Sequence, residues 1–187
     1  IVGAYQADPI VSSTARFDAG ISYVLFGRSQ VDSPAYYASI DLLSLNLAGS
    51  PQGFAIWGAA GNDYSGYSVA AAGDVNGDGI GDVIVGAYQA VPVVGTARTI
   101  AGISYVIFGR SKAVDLTASY ANIDLLLLNT TGSVQGFAII GAASYDYSGI
   151  SLSAAGDVNG DGIGDVIVGA YAADSVVGGS TRGDAGI

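Results

Sequence analysis

The chain has 187 residues and a formal net charge of -10; all 16 acidic residues are Asp, with no Glu, His, Cys or Met and a single Lys, Lys112. Without His or Cys, zinc sites, thiol nucleophiles, imidazole bases and a Ser-His-Asp arrangement are excluded within it. The negative charge argues against nucleic acid and anionic membrane surfaces, no apolar run approaches the ~18 residues of a membrane span, and the absence of Cys fixes no compartment.

Taken in chain order, the elements repeat. Ile1-Val2-Gly3-Ala4-Tyr5 returns at Ile84 to Tyr88 and at Ile167 to Tyr171, and Ala19 to Arg28 returns at Ala101 to Arg110. Gly53 to Ala90 aligns without a gap on Gly136 to Ala173, with 31 of 38 positions identical. Self-similarity at a fixed period of about 83 residues decides the architecture before any other feature. Within a unit, Asp82 to Tyr88 is a short β-branched run bounded by Gly and Asp, which predicts a strand buried on both faces. Ile103 to Phe108 and Gly136 to Gly141 predict two more strands. Ser148 to Ala155 alternates larger apolar with small polar residues and predicts a fourth, passing through a crowded centre. Ala121 to Leu128 is ambiguous between a helical turn and an edge strand. Both ends fall inside the unit, Ile1 aligning with Ile84 and Ile187 with Ile103, so the chain is expected to be a piece of a longer protein.

Between the predicted strands lies Asp74-Val75-Asn76-Gly77-Asp78-Gly79-Ile80-Gly81-Asp82, repeated without change at Asp157 to Asp165. Calcium takes about 6–8 oxygen ligands, and only a tightly turning backbone can bring that many from one short segment. Asp74, Asn76, Asp78 and Asp82 offer side-chain oxygens and Ile80 a carbonyl; Gly77, Gly79 and Gly81 relieve the turns. Ordinary acidic turn chemistry is the alternative, and two intact copies at one place in a long repeat weigh against it. An EF-hand would need an acidic twelfth residue where Val85 stands. A dockerin-like module would need helices after the loop, and a nonapeptide β-roll would repeat its Gly-Asp motif every turn. Carboxylates about 5 Å apart repel by roughly 1 kcal/mol per pair in water and about 3 at an effective dielectric near 20. A divalent cation removes that penalty, so calcium is expected as a structural staple.

Four antiparallel strands per acidic unit suggest a β-propeller blade: an all-β fold, here a fragment of about two and a quarter repeats of a larger propeller. The run of Gly-Phe-Ala-Ile, Asp-Tyr-Ser-Gly, Ala-Gly-Asp-Val-Asn-Gly-Asp-Gly-Ile-Gly-Asp, Val-Ile-Val-Gly-Ala and Tyr-Val-Ile-Phe-Gly resembles the FG-GAP repeat. That repeat builds the propeller of integrin α subunits and of many bacterial surface proteins. The resemblance implies a partial blade at 1–64, a complete one at 65–147 with its calcium loop at 74–82, and a partial one at 148–187 with its loop at 157–165. It implies that the loop joins the first two strands of a blade, on the face opposite the usual ligand surface. It carries the second site onto Asp157, Asn159, Asp161, Ile163 and Asp165. Two features depart from the family: Gly86-Ala87-Tyr88 replaces Gly-Ala-Pro, and the long unit carries extra residues in Gln89 to Ala101 and Arg110 to Ser133.

The functional expectation is a calcium-stabilised extracellular or cell-surface segment serving adhesion, binding a protein or glycan ligand, with no nucleic-acid partner, no membrane insertion in this segment and no enzymatic activity. The alternatives are a non-catalytic propeller portion of a secreted polysaccharide-active enzyme, or a passive spacer in a long surface protein. Arg182-Gly183-Asp184 is the tripeptide some integrins recognise, a short match of low specificity. Asn129-Thr130-Thr131 is a glycosylation pattern, meaningful only in an exported eukaryotic protein. The 12 Tyr are read as strand and inter-blade packing, with Tyr36, Tyr37 and Tyr120 as exceptions on long loops. Unpaired strand edges predict that the isolated fragment self-associates.

Overall fold

A computed structural model of the chain describes residues 1–27, 39–46, 50, 52–111, 121–128, 133–177 and 180–187, the side chains of 46 and 175–182 excepted. The first unit contributes β1 (Val2–Ala4), a short hairpin of β2 (Ile10–Val11) and β3 (Thr14–Ala15), then β4 (Ile21–Leu25) and β5 (Gly53–Trp57). The second contributes β6 (Ser68–Gly73), β7 (Asp82–Ala87), a hairpin of β8 (Val93–Val94) and β9 (Thr96–Ala97), β10 (Ile103–Ile107), β11 (Ile123–Asp124), the single helical turn α1 (Leu125–Leu128) and β12 (Gly136–Ile140). The third contributes β13 (Ser151–Gly156), β14 (Asp165–Gly169) and a hairpin of β15 (Ser175–Val177) and β16 (Ser180–Arg182).

β6, β7, β10 and β12 form one four-stranded antiparallel sheet in chain order, the meander of a propeller blade. Its middle strands are the most apolar and the most buried: all of β10 is buried, as is β7 apart from Val83. The predicted strand at Ser148 begins three residues later, at Ser151. Ser148 and Gly149 stay in a turn because Tyr147 and Gly149 both hold left-handed backbone, at φ 55° and 87°. Nor does β13 lie in a crowded centre: it is largely exposed, whereas its equivalent β6, covered by β13, is half-buried. Blades approach backbone to backbone, and a Cβ placed on Gly86 would stand 2.1 Å from the carbonyl oxygen of Gly149, so no larger residue fits there.

The ambiguous segment at Ala121 to Leu128 is both things at once. Ile123 and Asp124 leave their own blade and add in parallel to β5 of the preceding one, Ile123 opposite Ile56 and Asp124 opposite Trp57, and the chain then turns into α1. This strap seals the first inter-blade core, in which Ile123, Leu125 and Leu128 pack with Phe54, Ile56 and Ile103. A smaller core of Ala72, Ile84 and Val106 joins the second and third units. Among the described residues no helix is long and apolar enough to cross a membrane.

Candidate metal loops and an aromatic row

The acidic loops run from the end of a blade's first strand to the start of its second: β6 to β7, and β13 to β14. In both copies a β-bulge breaks the register just before the loop, between Ala71 and Gly73 and between Ala154 and Gly156, and aims the chain out of the sheet. Asp74 organises the turn. Its Oδ1 accepts from the backbone N–H of Gly77 at 2.8 Å and of Asp78 at 3.0 Å, and its Oδ2 from that of Gly79 at 2.8 Å. Asn76 Oδ1 accepts from the Asp78 N–H and Asp78 Oδ1 from the Ile80 N–H. Gly77 and Gly79 take φ 74° and 84°, so these two glycines answer the turn as expected. The third glycine does not: Gly81 has no positive φ. Its counterpart Gly164 shows the role instead, since a Cβ there would meet the Asp74 backbone at 3.1 Å, and the Gly164 N–H donates to the Asp74 carbonyl at 2.7 Å. The second loop thus leans on the first.

Asp157, Asn159 and Asp161 repeat the pattern, Asp157 accepting from the N–H groups of Gly160, Asp161 and Gly162. These donors, Gly162 foremost, hold the Asp157 carboxyl below the usual range, because hydrogen bonds to the charged form favour it. Asp82 stands at the base of its loop, 2% exposed, accepting from Val75 N–H and Gly109 N–H at 2.7 Å each. Asp165 accepts from Val158 N–H in the same way. The structure therefore joins Asp74, Asn76 and Asp78 in one hydrogen-bonded turn with Asp82 closing it. As the side chains lie, no three Asp, Glu, His or Cys among the described residues converge on a metal position.

The donor chemistry still suits calcium. Every group is a hard oxygen, and with about four acceptor positions per carboxylate and two per amide oxygen, Asp74 and Asn76 keep about one each and Asp78 and Asp82 about two each. Together with the Ile80 carbonyl that is enough for a six- to eight-coordinate ion.

The opposite end of each blade carries a feature that the sequence reading assigned only to packing. Tyr5, Tyr88 and Tyr171 follow β1, β7 and β14, while Tyr64, Tyr67 and Tyr147 precede β6 and β13. Since β7 and β14 start at the acidic loops and β6 and β13 end at them, Tyr64, Tyr67, Tyr88, Tyr147 and Tyr171 lie at the end away from those loops, and Tyr5 joins them through its contact with Tyr67. Their rings touch in series: Tyr5 to Tyr67 at 5.3 Å between centroids, Tyr67 to Tyr88 at 4.6 Å, Tyr88 to Tyr147 at 6.2 Å and Tyr147 to Tyr171 at 5.3 Å. They pack on one another, as expected, yet Tyr5, Tyr67 and Tyr171 remain 39%, 46% and 58% exposed. The signal was in the sequence, because Tyr5, Tyr88 and Tyr171 occupy one position of the repeat. Tyr36, Tyr37, Tyr120 and the Asn129 pattern lie outside the described residues. In Arg182-Gly183-Asp184, the Asp184 N–H donates to Asp174 Oδ1 at 2.9 Å, as the Asp18 N–H does to Asp8 Oδ1 at 2.7 Å; Asp184 is a turn residue of the repeat.

A second feature escaped the sequence reading. Arg16, beside the first hairpin, forms a fork with the strap's Asp124, NH1 to Oδ1 at 2.6 Å and NH2 to Oδ2 at 2.8 Å, and also donates to the Gly58 carbonyl at 2.7 Å. The hydrogen bond to Asp124 raises the Arg16 pKa against the opposing effect of burial. Arg110 adds a second hold, donating to the Ala121 carbonyl at the start of the strap and lying 5.0 Å over the Phe54 ring.

No curated protein matches the chain. The family model of the FG-GAP repeat matches residues 65–107 and 148–187; each matched stretch holds one acidic loop between its first two strands. The chain therefore carries FG-GAP repeats at residues 65–107 and 148–187, in an all-β fold of antiparallel sheets consistent with propeller blades.

Proposed function

We propose that this chain is a calcium-stapled stretch of propeller acting outside the cell or at its surface, where it binds protein or glycan rather than catalysing a reaction. The observation that carries the reading is the tyrosine row, which runs through three units at the end of the blades away from the acidic loops. Tyrosine rings give large contact area at low entropic cost and keep a hydroxyl for hydrogen bonding, a surface suited to sugar rings or to a protein partner. Asp74, Asn76, Asp78, Asp82 and the Ile80 carbonyl would hold one calcium; Asp157, Asn159, Asp161, Asp165 and the Ile163 carbonyl would hold another. The ion would neutralise the clustered carboxylates and fix the turns. The residue inventory supports a binding role, since it offers no imidazole, thiol or glutamate for acid–base work.

Affinity electrophoresis of the full chain through gels containing β-glucan, xylan or galactomannan tests this. Retardation by one of them, lost in the Tyr67→Ala, Tyr171→Ala double variant at unchanged melting temperature, is the expected result. Equal retardation of parent and variant would contradict the tyrosine row as the binding surface, and no retardation by any of them would confine the proposal to protein ligands.

A further inference from the structure

The strap that joins the second unit to the first has a counterpart socket that nothing described fills. Arg98 repeats Arg16 in every backbone detail. The Arg98 N–H donates to the Pro92 carbonyl as Arg16 does to Pro9, its carbonyl accepts from Ala101 as that of Arg16 does from Ala19, and its NH1 donates to the Gly141 carbonyl at 2.8 Å as that of Arg16 does to Gly58. Yet the salt bridge of Arg16 with Asp124 has no equivalent at Arg98 among the described residues. β12 repeats β5 residue for residue except Ile140 for Trp57; β5 is paired on both edges, while β12 pairs with β10 alone among the described strands. The side chains report the same vacancy: Phe54 is 7% exposed and Phe137 39%. The matching strap of the first unit, Ile40-Asp41-Leu42, shows that the motif is repeated and not particular to Ile123-Asp124-Leu125. Asp41 holds the same turn, its Oδ1 accepting from the Leu43 N–H as Asp124 Oδ1 does from the Leu126 N–H.

We propose that Arg98 and the open edge of β12 form a docking socket for the strap of an adjoining FG-GAP repeat. The ligand is a segment reading Ile-Asp-Leu that adds in parallel to Gly136–Ile140 and closes a carboxylate–guanidinium fork with Arg98. Edge addition supplies backbone hydrogen bonds, and the fork fixes register, because a two-pronged Arg–carboxylate pair tolerates little displacement. Blade order in such a protein is then set by a latch of one charge pair per junction, Arg16 with Asp124 at one and Arg98 with the incoming aspartate at the next.

The test lengthens the chain by a second copy of residues 104–141 after Ile187, which continues the repeat in register because Ile187 aligns with Ile103. Arg98→Ala is expected to cost the parent chain only its hydrogen bond to the Gly141 carbonyl, a fall of roughly 2–4 °C, and to lower the melting temperature of the lengthened chain by roughly 6–12 °C more, as loss of one partner of a largely buried pair does in a domain of this size. Replacing the aspartate of the added strap by Asn should act similarly, and exchanging the two charges should restore part of the loss. An equal effect of Arg98→Ala in both chains overturns the proposal. Should the lengthened chain fail to fold, the synthetic peptide of residues 121–128 at millimolar concentration decides by amide chemical shifts of the parent chain. Shifts at Gly136–Ile140 that vanish in Arg98→Ala support the socket; no shift there, or shifts indifferent to Arg98, overturn it.

Discussion

Gly53–Trp57 and Gly136–Ile140 are nearly the same five residues in the same place of two blades, and they live in different surroundings. In the first strand every residue but Trp57 is buried; in the second only Gly136 is. The backbone is the same in both, an antiparallel partner on one side in the same register. What differs is the strap on the other edge and the blade that delivers it. Local sequence makes the strand, and a neighbouring repeat makes it core, the expected behaviour of an architecture whose units bury their faces only against each other.

The largest expected break in that comparison comes from equal truncations. Ile56→Ala removes a side chain fully enclosed between two blades and should cost about 3–4 kcal/mol, within the range for buried large-to-small changes. Ile139→Ala, at a half-buried position, should cost about 1 kcal/mol, since little cavity forms. Urea unfolding of the two variants gives the ratio, and equal costs would mean that the strap does not complete the core.

A smaller effect sharpens the same junction. Asp63, buried near Arg16, has its pKa pushed up to about 6, by desolvation first, with the Ala60 N–H and Arg16 opposing. Because the folded pKa lies above the unfolded one, the native state holds the proton more tightly between pH 4 and 6, and stability falls as pH rises through that window. The penalty is complete above pH 6 and amounts to up to about 3 kcal/mol. Asp63→Asn, whose amide oxygen can still accept from Ala60, should therefore gain about 1–3 kcal/mol at pH 7 and nothing at pH 4. Denaturant midpoints of parent and variant across that range test it; parallel profiles would contradict it.

Much of this was legible beforehand, for identifiable reasons. The strand Asp82–Ala87 announced itself as a β-branched run bounded by Gly and Asp, Ile103–Ile107 as a short apolar run, and the acidic loops as an exact repetition. The strap was not legible, because Ile123-Asp124-Leu125 takes its conformation from β5 in another blade, and local pattern cannot separate a lone edge residue pair from a helical turn. The Arg16–Asp124 fork spans 108 positions of sequence and left only a faint trace, Arg and Asp each recurring once per repeat. The third loop glycine does not serve its own turn: Gly81 has no positive φ, and Gly164 instead packs against the Asp74 backbone of the neighbouring loop. Asp82, read as a ligand like the others, also closes the loop through Val75 and Gly109, a contact with the end of β10 that no spacing within the motif reveals.

The two acidic loops make the same comparison in miniature: one sequence, with the first braced by Gly164 and the second without such a neighbour among the described residues. Calorimetric titration of calcium into the full chain, for the parent and for Asp78→Ala, Asp161→Ala and the double variant, tests the central claim of a calcium-stapled propeller most directly. Two ions per chain are predicted, one lost with each single change and both with the double. Calcium at about 100 times its dissociation constant should stabilise the parent by roughly 2.7 kcal/mol per independent site. A stoichiometry unchanged in the double variant, or no binding by the parent, would contradict the account and leave both loops as acidic turns held by their own backbone N–H groups.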